Sequence, residues 1–194
     1  MEALIEEIKD VAYNCTKRVE CKCPEGYFKT IDGLECLRIS REPVDCMDAE
    51  RVCENDFNSR LAIAKDPKRL QRLSDIIRQT GHHQDLFWIG LSYNRTNIGG
   101  ATWKWADGTK ISAEMKKKLD LKDPHVSPDE LKKSLRMLEI GGIDGPVERV
   151  AINGRYEGHT WAQESCKSEQ YGPRPKHRYI CEFLMFKVNI KSRD

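Results

Sequence analysis

The feature that most constrains this chain is its cysteine content, eight residues among 194. Cys15, Cys21, Cys23, Cys36, Cys46 and Cys53 crowd into the first third, while Cys166 and Cys181 lie near the far end. The number is even and too high for an ordinary cytosolic enzyme, which suits disulfides formed in an extracellular, oxidising compartment. Zinc is the competing use. The spacings contain no repeated pair of two-residue knuckles with matching histidines, so a structural zinc site is the weaker reading.

The sequons Asn14-Cys15-Thr16 and Asn94-Arg95-Thr96 make Asn14 and Asn94 glycosylation candidates and fit secretion. Met1 opens a polar amphipathic stretch rather than an apolar signal core, so the chain reads as part of something longer. No run approaches the roughly 18 apolar residues of a membrane span, and no membrane insertion is expected. Lys plus Arg (33) nearly cancels Asp plus Glu (31), which excludes a dedicated nucleic-acid binder driven by global charge. The histidines His82, His83, His125, His159 and His177 all sit in turn-like or polar contexts. With no glycine-rich phosphate loop, nucleophile elbow or His-Glu-x-x-His helix, an enzyme is not expected, and neither is a cofactor.

Along the chain, residues 2–13 place Leu4, Ile5, Ile8, Val11 and Ala12 at helical spacing, as in a short amphipathic helix or the end of a coiled-coil neck. Cys23-Pro24-Glu25-Gly26-Tyr27-Phe28, followed by Asp32-Gly33 and Cys36, reads as a small disulfide-closed hairpin. Asp45 is an N-cap whose helix puts Cys46, Ala49 and Cys53 on one face. Asp66-Pro67 caps a second helix carrying Leu70, Leu73, Ile76 and Ile77, stopped by Gly81. Leu61-Ala62-Ile63 between them is a short strand or extended link. From Leu86 the pattern turns to β: Phe87-Trp88-Ile89-Gly90-Leu91, then Thr102 to Trp105, Val150-Ala151-Ile152 and Tyr179 to Phe183. The stretch 109–146 stands apart as a helical insertion. Ser127-Pro128-Asp129-Glu130 is a capping box ahead of Leu131, Leu135 and Leu138, and a weaker helix covers Ser112 to Leu121.

Cys23-Pro24-x-Gly26-Tyr27, the helix ending at Cys53, Trp88-Ile89-Gly90-Leu91, Trp103-x-Trp105-x-Asp107-Gly108, Trp161, Cys166 and Ile180-Cys181-Glu182 together resemble a long-form C-type lectin-like domain. The resemblance runs from about residue 23 to 184. It implies an α+β fold with two helices, two small antiparallel sheets and a long loop region, here carrying the helical insertion. It also implies the disulfides Cys23–Cys36 and Cys53–Cys181, and core roles for Trp88, Trp103 and Trp161, with Trp105 left open. Segment 21–36 by itself also resembles the end of an EGF-like module.

Two departures from the family pattern bear on function. Sugar-binding members hold calcium with a Glu-Pro-Asn or Gln-Pro-Asp triplet and an Asn-Asp pair after a tryptophan, whereas here Trp161 is followed by Ala162-Gln163. Calcium takes six to eight oxygens, largely carboxylate. Asp144, Glu148 and Glu164 form only a partial set, so calcium is disfavoured. The usual partner of Cys166 would lie near Val150, where Arg149 or a neighbour stands, so Cys166 needs another partner. Cys46 holds a place where the family often has a buried tryptophan, which makes a Cys46–Cys166 bridge conceivable. Cys15 and Cys21 could pair with each other or link chains.

Between Lys110 and Arg136 eight bases face five acids, a local +3. Lys116, Lys117, Lys118, Lys132, Lys133 and Arg136 are the ligand-binding candidates, for an acidic protein or an anionic glycan; a solvated helix face is the bland alternative. The expected organisation is a neck with a cysteine-containing linker (1–22), the lectin-like domain (23–184) with its insertion (109–146), and a tail (185–194). The expected function is extracellular recognition of a macromolecular partner without calcium. A calcium-dependent lectin with atypical ligands, and a structural module that oligomerises through the N-terminal helix and Cys15 or Cys21, are the alternatives.

Overall fold

The computed structural model describes residues 22–30, 35–56, 58–95, 101–123, 148–155, 161–166 and 173–184. Helix α1 spans Cys46–Asn55, and the Asp45 carboxylate accepts the backbone N–H groups of Met47 and Asp48 at 2.9 and 3.0 Å. That satisfies two of the donors a helix start leaves orphaned. Helix α2 spans Pro67–Gln79; Asp66 accepts from the Arg69 N–H, Pro67 sits at the first turn, and Gly81 ends the element with φ +78°. A third, short helix α3 (Ala113–Lys118) is capped by Ser112 and buries Met115.

The strands are β1 (Phe28–Lys29), β2 (Cys36–Ile39), β3 (Ser59–Leu61), β4 (Phe87–Arg95), β5 (Ala101–Trp105), β6 (Glu148–Ile152), β7 (Trp161–Ser165) and β8 (Arg178–Phe183). Their order is β1-β2-β8-β4-β6-β7, with β3 paired to β8 and β5 to β4. Two domain helices, two small antiparallel sheets and a helical insertion were expected. Helices α1 and α2 are the two, α3 is the weaker insertion helix expected over Ser112 to Leu121, and the strand groups join because β4 and β8 pair in parallel, Trp88 against Tyr179. A parallel contact between strands so far apart in the chain leaves no local trace in sequence.

Alternation along the strands divides the interior in two. Phe87, Ile89, Leu91, Val150, Ile152 and Ile180 join α2's Leu70, Leu73 and Ile77, with Trp103 and Trp105, in the larger core. Trp88, Ala151 and Cys181 point the other way, into the smaller cluster under α1's Cys46, Ala49 and Cys53. Trp105, left open by sequence, is thus a core residue at 2% exposure, while Trp161 is only partly buried against the larger core. Gly90 has no room for a side chain: a Cβ would lie 2.7 Å from the Leu61 carbonyl oxygen and 2.8 Å from the Ala106 Cβ.

Candidate functional site

β6 and β7 pair antiparallel, with Val150 opposite Gln163 and Arg149 opposite Glu164, so Glu148 and Gln163 share one face and Arg149 and Glu164 the other. The Gln163 side chain reaches the segment after α3. Its Oε1 accepts the Lys122 N–H at 3.1 Å and its Nε2 donates to the Lys122 carbonyl at 3.0 Å. The same Nε2 also bonds the Glu148 carboxylate. One primary amide thereby closes a two-way bridge, as a neighbouring strand would, across residues 41 apart in sequence. This clamp had no local signal.

On the opposite face, Glu164 Oε1 lies 3.8 Å from His177 Nε2, and the imidazole packs against Trp88 with ring centroids 4.6 Å apart and the planes tilted by 54°. Burial holds the Glu164 carboxyl above its ordinary value and pushes the imidazole below its own, with a backbone hydrogen bond at Lys176 opposing the latter. Arg149 is 1% exposed and bonds Glu50 of α1 at 2.6 Å. Burial lowers the guanidinium's pKa and raises that of Glu54 one turn further along, where the Glu50 charge adds to the effect.

For calcium, the donor set of this strand pair does not fit. Ala162 brings no side-chain oxygen, Gln163 Oε1 and one Glu148 oxygen already accept hydrogen bonds, and Glu164 faces His177. Among the described residues no three His, Cys, Asp or Glu side chains gather where a metal ion would sit. Asp144 lies outside the described residues, as do Asn14, Cys15, Cys21, Lys132, Lys133 and Arg136. Asn94 stands on β4 opposite Thr102.

Cys23 bonds Cys36, Cys53 bonds Cys181 and Cys46 bonds Cys166, with Cα separations of 5.5, 5.5 and 6.0 Å. The last bridge brings the N-terminus of α1 to the end of β7, and Arg149 to Glu50 brings its middle to β6. Of the described ligand-binding candidates, Lys116 is paired with Asp123 at 2.8 Å. Lys117 and Lys118 project into solvent from the last turn of α3.

A helix tied by two disulfides over strands joined in this order defines a C-type lectin fold. The chain belongs to the family of the lectin C-type domain, whose model matches residues 42–183. Human lithostathine shares the fold with TM-score 0.52 at 18% identity, covering 84% of this chain and 92% of that one. The C-type lectin CEL-I from Cucumaria echinata does so with TM-score 0.51 at 19% identity, over 85% and 99% respectively. No curated protein sequence matches the chain. Domains of this family are binding modules, typically extracellular and typically not enzymes. No helix among the described residues is long and apolar enough to cross a membrane.

Proposed function

We propose that this domain is an extracellular recognition module that engages a macromolecular partner, protein or anionic glycan, without calcium. The observation that carries the reading is the Gln163 clamp: the side chain in place of a family calcium ligand is committed to the Lys122 backbone and to Glu148. A cation bound at Gln163 Oε1 would have to displace the Lys122 N–H and disrupt the clamp, whose hydrogen bonds each contribute a net ~1 kcal/mol. The lysine-bearing segment, held on β7 by the same clamp, offers a surface for the partner. A link between chains through Cys15 or Cys21 would add avidity to it.

The deciding experiment is a thermal melt with calcium added to millimolar levels and then chelated. A ligand bound only by the folded state raises the melting temperature by mass action, so the expected result is an unchanged midpoint. A clear calcium-dependent rise, or retention on a mannose or galactose resin with release by chelator, would replace this reading with a calcium-dependent lectin.

A further inference from the structure

Cys181 of β8 stands opposite Arg38 of β2 in an antiparallel ladder, which puts the two side chains on one face. Arg38 Nη2 donates to Cys181 Sγ at 3.4 Å. Among the described residues no other cysteine sulfur receives a hydrogen bond. The guanidinium is held from two sides: Nη1 pairs with Asp56 at 2.6 Å, and the group lies over the Tyr27 ring, 5.4 Å from its centroid. The Tyr27 hydroxyl donates to the same Asp56 carboxylate at 2.9 Å. None of these contacts runs through the Cys53–Cys181 bond. Docking β8 on β2 is enough to bring the donor to the sulfur.

Cys181 is fully buried in the smaller core, where apolar surroundings disfavour a thiolate. The thiolate is nevertheless the form that attacks a disulfide, and a neighbouring cation favours it. Cys46 and Cys53 lie within one ten-residue segment, whereas Cys53 and Cys181 are 128 residues apart, and short loops close at lower entropic cost than long ones. Before α1 and β8 dock, Cys53 therefore meets Cys46 or a small oxidised thiol first. Cys181 then has to displace that partner.

We infer that Arg38 activates Cys181 as the nucleophile that forms the Cys53–Cys181 bridge. The Cys181 thiolate attacks Cys53 Sγ, the S–S bond to the first partner breaks, and that partner leaves as a thiolate and takes a proton from water. One disulfide replaces another, so the step needs no oxidant. Two effects oppose each other in its rate. While the thiol is mostly protonated, each pH unit by which its ionisation is made easier raises the thiolate fraction about tenfold and lowers its nucleophilicity about threefold, a net gain of about threefold.

The experiment refolds the reduced full chain in a glutathione redox buffer, quenches it at intervals with acid and maps Cys53–Cys181 by mass spectrometry. At pH 7, Arg38→Gln should form this bond about threefold or more slower than the parent, and Arg38→Lys, which keeps the cation, should recover much of the rate. The deficit should shrink as pH rises from about 7 to about 9.5, since a thiol that ionises unaided gains nothing from a cation. A second measurement does not depend on Arg38→Gln folding. In Cys53→Ala, thiolate absorbance taken against Cys53→Ala/Cys181→Ala should show Cys181 ionising at lower pH than the thiol of glutathione. Equal rates for parent and Arg38→Gln at pH 7, a deficit that stays constant with pH, or a Cys181 that ionises no more readily than glutathione would each overturn the assignment and leave Arg38 a packing residue. None of these outcomes bears on the calcium melt.

Discussion

Glu182, 5% exposed in the last strand, accepts hydrogen bonds from Arg60 Nε at 2.7 Å, Arg69 Nη2 at 2.6 Å and the Ile63 N–H at 3.2 Å. A carboxylate so enclosed is tolerable only with such partners. It joins β8, β3 and the start of α2. The sequence offers Ile180-Cys181-Glu182 as a motif but says nothing of the two arginines, because both pairings span more than a hundred residues. Arg149 is hidden for the same reason: beside Val150, Ala151 and Ile152 it reads as a polar residue at a strand end, yet it is buried against α1. Asp107 gives the residue-scale prediction. Burial alone would raise its pKa, but hydrogen bonds from Lys65 and Thr109 outweigh that and bring it from 3.8 to about 2. A depressed carboxyl contributes stability at neutral pH that is lost as pH falls from about 4 towards about 2. The expected loss is about 1–2 kcal/mol, reduced from the full linkage value because Lys65 is 45% exposed and screened. Denaturant unfolding of the parent and of Asp107→Asn, compared across that window, reads it. Identical pH profiles for the two would discard it.

At the scale of the element, α1 is held at both ends, by Cys46–Cys166 and by Cys53–Cys181. The two bridges close sequence separations of 120 and 128 residues, but they are not independent. With either intact, the other closes an effective loop of about twenty residues, the few along α1 plus those between Cys166 and Cys181. In the chain-entropy model a loop of that size contributes roughly 3 kcal/mol, against ~4.7 for one near a hundred residues. Removing one bridge by paired Cys→Ala substitution should therefore cost about 3 kcal/mol, and removing both distinctly more than twice that figure, as measured by urea denaturation. Strict additivity would disprove the nested-loop account. The helices themselves are the part most legible in sequence, since Asp45, Asp66, Pro67 and Gly81 are local signals that act locally. The clamp from Gln163 to Lys122 lies at the other extreme: a glutamine in a strand carries no mark of the backbone it will bind.

For the whole molecule, β8 is the member on which the architecture closes. It pairs with β2, β3 and β4, and carries Ile180 into one core and Cys181 into the other. The family motifs made this fold legible from the amino-acid order, yet the parallel β4–β8 contact that unites the sheet was not, since pairing distant strands depends on the packed whole. A chain ending before Arg178 should show no cooperative thermal transition by circular dichroism, although it retains all three capped helices in sequence; a sharp melt would show that β8 is dispensable. The position of that strand also sets a timetable. The ribosome makes β8 after every other described strand, at roughly 5–20 residues per second, so neither core can close until β8 has emerged. Cys23 and Cys36 have each other from the start. Cys46 and Cys53, one helical face apart by two turns, must wait as thiols for Cys166 and Cys181 while an oxidising compartment offers them each other. A premature Cys46–Cys53 bond would have to be exchanged before Cys46–Cys166 and Cys53–Cys181 could form, so refolding of the reduced chain should be faster with a disulfide isomerase present than with an oxidant alone.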